Sequence, residues 1–173
     1  PNVDLRVSLT DRLVDIVSVE SDLAIRISGT PTDKSAIWRK LYQVPMVTIA
    51  SPLFFERHGK PESPDDLDLK LCLSYGEQAV PETWRFEKGS VKRQVVAGTT
   101  IQTNNGDLLY ELARNGTGIV VLPEFVVADG LKSGQVIKVF KTTTEVSVNT
   151  TLGEFEIILG KKYGQNTKLQ ELS

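Results

Sequence analysis

The chain has 173 residues, with 20 Lys and Arg against 22 Asp and Glu for a formal net charge of -2, and 40% of it is apolar. This length suits one domain or two small α/β lobes, the charge balance lacks the concentrated basic face that nucleic acid demands, and the apolar share is that of a globule rather than an acidic disordered tail. A single cysteine (Cys72) cannot close an internal disulfide, and a single histidine (His58) leaves little for a zinc site.

No apolar run approaches the roughly 20 residues of a membrane span, and no signal peptide is legible at the start. The expectation is a cytoplasmic protein that holds no metal and no cofactor and does not engage a membrane. Pro1-Asn2 runs directly into a strand-like stretch and the last residues begin a helical pattern without a cap, so the chain reads as a fragment of something longer.

Val3, Leu5, Val7 and Leu9 recur with period two and predict a strand over 3–9. Thr10-Asp11 then supplies an N-cap and a first-turn acid for a helix carrying Leu13, Ile16 and Val17 on one face. Leu23 to Ile27 is a nearly continuous apolar run, as in a buried parallel strand, and Gly29 to Asp33 breaks it. The three segments predict a βαβ unit.

Val44 to Ala50 predicts the next strand, followed by a short helix from Ser51-Pro52 through Phe55. Ser63-Pro64-Asp65-Asp66 has the cap, first-turn proline and acids of another helix start. Leu71 to Tyr75 reads as a buried strand, and Trp84 to Phe86 with Val91 to Val96 as a hairpin turning at Lys88-Gly89-Ser90. Asn104 opens the most regular helix, whose core face is Leu108, Leu109, Leu112 and Ala113 and whose end is Asn115-Gly116. Ile119 to Leu122 predicts a strand, Phe125 to Leu131 a helix, Gln135 to Phe140 a strand and Phe155 to Leu159 the last one. Thr142 to Thr151 reads as a β-prone linker.

The order Val3-Asp4-Leu5, Asp22-Leu23-Ala24-Ile25-Arg26-Ile27, Ala50-Ser51-Pro52-Leu53-Phe54, Gly59-Lys60-Pro61, Pro64 with Asp66-Leu67, Asn104-Asn105-Gly106, Gly116-Thr117-Gly118-Ile119 and Leu122-Pro123 resembles the effector-binding domain of LysR-type transcriptional regulators. The resemblance covers nearly the whole chain. It implies an α/β fold of two Rossmann-like lobes, similar to type 2 periplasmic binding proteins and joined by two crossover strands. Residues 1–44 with 149–173 would form the first lobe, lacking its first strand and helix, and residues 45–148 the second. It further implies that DNA is bound only through an N-terminal helix-turn-helix outside this chain, and that effector domains pair antiparallel as homodimers or higher oligomers. A strand 3–9 would then pair directly with 22–27 or be completed by another copy.

Candidate ligand contacts follow from position. Thr10 ends a strand and starts a helix, where its hydroxyl and the following N–H groups suit an anion; a plain N-cap explains it equally. Arg26 lies near the C-terminal end of a strand, where open α/β sheets hold ligands, or pairs with Asp22 or Asp33. Ser74 and Tyr75 end a strand of the second lobe, Tyr75 serving either the core or a ligand. Asn104 and Asn105 start the long helix as contacts or as caps. Together they predict one concave site for a small, anionic effector.

Gly116-Thr117-Gly118 follows a helix and precedes a strand, the reverse of a phosphate-binding glycine loop, so Gly116 is a left-handed helix cap. His58 falls in a turn-like surface stretch and Cys72 in a strand as a small core hydrophobe, leaving no nucleophile–base pair for an enzyme. A sensor of a small metabolite is the favoured reading, with a transport-type solute-binding protein of the same architecture as the alternative.

Overall fold

The computed structural model describes residues 4–9, 22–28, 36–76, 82–140, 145–148 and 156–162. In chain order its elements are β1 (Leu23–Ser28), β2 (Ala36–Gln43), β3 (Met46–Ala50), α1 (Pro52–His58), two 3-10 turns at Pro64–Asp66 and Leu69–Leu71, β4 (Ser74–Tyr75), β5 (Glu82–Lys88) and β6 (Val91–Ala97). These are followed by β7 (Gln102–Thr103), α2 (Gly106–Arg114), β8 (Val120–Pro123), α3 (Glu124–Ser133), β9 (Ile137–Lys138), β10 (Glu145–Val148) and β11 (Glu156–Lys162).

β3 sits at the centre because both of its faces are buried. Val47 and Ile49 point one way, in register with Leu122 and Val120 of β8, and join Leu109 and Ala113 of α2 and Val127 of α3 in one buried cluster. Ala50 points the other way and, with Val121, Ile119 and Phe54, meets Trp84, Phe86, Val95 and Ala97 of the β5–β6 hairpin in a second cluster. Helices thus cover one face of the sheet and a hairpin the other, which is why β3 and β8 read as nearly continuous apolar runs rather than alternating ones.

The sheet is mixed. β3 pairs antiparallel with β8 and β9, Cys72 bridges Ile119 in parallel, and β4 pairs in parallel with β7. A separate antiparallel sheet has the order β10-β5-β6, its hairpin turning through Gly89 at φ +60. A further sheet has the order β1-β11-β2 and is antiparallel throughout, so residues 23–28 and 36–43 pair with residues 156–162 far along the chain.

The N-terminal βαβ expectation is corrected. Residues 4–9 form no regular secondary structure, and Leu5, Val7 and Leu9 are 81%, 69% and 91% exposed. β1 is antiparallel to β11 rather than part of a parallel pair, with Leu23 and Ile25 more than half exposed, and residues 4–9 do not pair with it. Alternation records which side chains could share a face, not whether a neighbouring strand is there to accept the backbone hydrogen bonds. The helix expected over 11–17 lies outside the described residues.

Other differences are smaller. β2 has no counterpart in the sequence reading, because Arg39-Lys40 interrupts its apolar pattern and a bulge at Leu41 breaks its period. The helix start at Ser63 closes as a single 3-10 turn, with the Asp66 carboxylate accepting from the Ser63 N–H at 2.8 Å and its hydroxyl at 2.9 Å. These bonds hold the Asp66 carboxyl below its ordinary range. His58 is the last residue of α1, its ring 4.7 Å from that of Phe54. Part of the β-prone linker is the strand β10, paired to β5.

Candidate functional site

Four of the six candidate residues lie together. β4 and β7 run side by side in register, Ser74 with Gln102 and Tyr75 with Thr103, held by Ser74 N–H to Ile101 C=O at 3.2 Å and Gly76 N–H to Thr103 C=O at 3.0 Å. Both strands stop at the same level, and Asn104 and Asn105 then lead into α2. This is the carboxyl end of a pair of parallel strands facing a helix start, the place where open α/β sheets bind ligands.

The helix cap is Asn105, one residue beyond the expected opening at Asn104. Its Oδ1 accepts from the Leu108 N–H at 2.8 Å, and its own N–H donates to Thr103 Oγ1 at 3.2 Å. Asp107 in the first turn faces the positive end of the helix, and Gly116 closes the far end at φ +80. Tyr75 is 38% exposed at the strand end.

Ser74 differs from its neighbours. Its side chain is wholly buried, and its Oγ has no hydrogen-bond partner among the described residues. It packs against Gly98, which has φ +83 and where any Cβ would overlap the Ser74 hydroxyl. Ser74 therefore lies beneath the strand end and Tyr75 upon it.

Thr10 lies outside the described residues. Arg26 lies on β1, in register with Ile158 of β11, and its side chain is not among those described, so these two and the four above are not joined by any described contact.

Sequence reasoning does not pick out Glu82, the residue with the most unusual environment nearby. It opens β5 on the face of Trp84 and Phe86 and is only 3% exposed. Its Oε2 accepts from the Tyr75 N–H at 3.1 Å and from the Trp84 indole N–H at 2.9 Å. Burial pushes its carboxyl up to about 7, against the opposing pull of those two donors. The legible signal is its spacing two residues before Trp84 in a strand whose alternate residues face inward.

Cys72 is fully buried and its Sγ donates to the Asp68 carbonyl at 3.3 Å. Burial, and secondarily the Asp68 charge, pushes its thiol up to about 12, so at neutral pH it is a protonated core group. Among the described residues no group of three or more His, Cys, Asp or Glu could hold a metal ion, and no helix is long and apolar enough to cross a membrane. A groove of about 940 Å³ between Lys60, Pro64, Phe86, Lys88, Arg93 and Phe140 contains none of the candidate residues.

Residues 1–149 match the family model described as the LysR substrate binding domain. YhjC, an uncharacterized HTH-type transcriptional regulator of Escherichia coli (strain K12), is 32% identical over 141 residues, covering 80% of this chain and 47% of that protein. An uncharacterized HTH-type transcriptional regulator of Haemophilus influenzae is 29% identical over 139 residues, covering 80% and 48%. The chain thus spans about half the length of these curated relatives. Among solved structures, the AmpR effector domain of Pseudomonas aeruginosa aligns with a TM-score of 0.68 at 22% identity, covering 99% of this chain and 77% of that one. The CrgA regulatory domain of Neisseria meningitidis aligns with a TM-score of 0.66 at 24% identity, covering 82% and 66%. At these identities the structures speak to the fold, which is the α/β fold of type 2 periplasmic binding proteins. The matched family model carries the assignment: this chain belongs to the LysR substrate binding domain family, the effector-binding domain of LysR-type transcriptional regulators.

Proposed function

We propose that the chain senses a small anionic metabolite for a DNA-binding regulator, with the ligand held at the shared end of β4 and β7. The observation that carries this reading is the parallel pairing of those strands with the capped start of α2 directly after them. The ligand would meet Tyr75, Asn104 and Asn105 of the second lobe, with Ser74 supporting the strand end from below and Thr10 and Arg26 closing from the first lobe. That lobe would comprise residues 1–44 and 149–173, and the lobe holding Ser74, Tyr75, Asn104 and Asn105 would comprise 45–148; the pairing of 23–28 and 36–43 with 156–162 supports the division.

DNA would be engaged through a helix-turn-helix elsewhere in the protein, and the domains would act as at least a dimer in the cytoplasm. The exposed apolar side chains of residues 4–9 and β1 support assembly. Ligand capture without turnover, and without metal or cofactor, fits a buried, protonated Cys72 and a His58 stacked on Phe54. The transcriptional-regulator relatives favour a sensor over a transport protein.

A thermal-shift screen with millimolar succinate, benzoate and glutamate tests the reading. At least one acid is expected to raise the melting temperature, and Asn104→Ala is expected to weaken that stabilisation about tenfold in apparent affinity, equivalent to about 1.4 kcal/mol. Stabilisation unchanged by the substitution would place binding elsewhere.

A further inference from the structure

Glu82 and Tyr75 are seven positions apart in sequence, yet a hydrogen bond to one carboxylate oxygen ties the end of β4 to the start of β5. The same oxygen holds the Trp84 indole, whose residue stands in register with Val95 of β6 and Val148 of β10. One acceptor therefore joins the strand end of the candidate site to the sheet on the far face of the core.

Among the described residues, none places a compensating cation beside this carboxylate. Across the ladder Glu82 faces Ala97, and Trp84 faces Val95, both buried apolar residues. On β5, Arg85 and Glu87 occupy the opposite face of the strand by alternation. On β6, Lys92 pairs with Glu87 at 3.0 Å and Arg93 with Asp65 at 2.8 Å. On β10, Glu145 is in register with Glu87, at the other end of β5. Asp68 accepts from the Lys70 N–H within its own turn, and the Cys72 thiol is protonated. Burial is the dominant influence on Glu82, and no described charge acts on it.

We propose that Glu82 is a positioning residue for the candidate site: ionised, it fixes Tyr75 and the end of β4, and on taking up a proton it loosens that hold. The proposal rests on the site reading above and adds a proton dependence to it. A carboxylate accepts N–H bonds roughly twice as strongly as a neutral carboxyl group, so one proton weakens both ties together. With the carboxyl at about 7, the change falls within the physiological range.

The test uses protein labelled with 5-fluorotryptophan, the Trp84 fluorine resonance being the one lost in Trp84→Phe. On titration from about pH 5 to pH 9, that resonance is expected to shift sigmoidally with a midpoint near 7. In Glu82→Gln, whose amide oxygen still accepts both bonds but carries no titrating proton, the shift is expected to vanish. A flat Trp84 titration in the unsubstituted protein would overturn the proposal without reference to any variant, as would a titration that persists in Glu82→Gln. If succinate, benzoate and glutamate all fail to bind while the Trp84 titration is present, the site reading falls and the proton dependence at Glu82 stands.

Discussion

Glu82 shows how one residue type changes meaning with burial. A glutamate opening a hairpin strand reads as surface, yet here it is shut in with Trp84 and Phe86 and given two N–H donors in place of water. Its folded-state carboxyl, near 7, lies above the ordinary value of 4.5, so the folded protein binds this proton more tightly than the unfolded chain does. Stability from this group is therefore fully present below the unfolded value and is lost as pH rises through the folded one. The loss is on the order of 3 kcal/mol for a shift of this size. Denaturant unfolding at several pH values is expected to show Glu82→Gln gaining on the unsubstituted protein by about that amount between pH 5 and pH 8. Parallel stability curves would mean that the carboxyl titrates alike in both states.

At the scale of elements, legibility follows from whether the partner of a segment is local. α2 is readable because its cap, first-turn acid, apolar stripe and closing glycine all lie within it, and the reading slips only from Asn105 to Asn104 for the cap. The Oδ1 bond from Asn105 to the Leu108 N–H decides the difference. Asn105→Ala is expected to lower stability by about 1 kcal/mol, with Asn105→Asp close to neutral, measured by chemical denaturation. An alanine without effect would mean that the first turn is held by other contacts. The β5–β6 hairpin is likewise local and legible. β1 and β2 are not, since their shared partner β11 arrives more than 110 residues after Gln43 in the chain, and no local pattern names it. The strand expected over 3–9 fails for the same reason in reverse: the pattern is present, and the neighbouring strand is not among its described contacts.

At the scale of the whole molecule, the double-sided burial of β3 and β8 organises the larger body, and the chain returns late to complete the sheet of β1 and β2. Motif order along the sequence was enough to reach the family, whereas Glu82 and the burial of Ser74 under Gly98 depend on tertiary packing that spacing does not encode. The central claim is that a small acid binds at the shared end of β4 and β7. Backbone hydrogen exchange with and without an acid that raises the melting temperature tests it most directly, because it maps where the ligand sits. Slowed exchange is predicted at residues 74–76 and 102–108; slowing confined to 60–65 and 86–93, around the separate groove, would contradict the account.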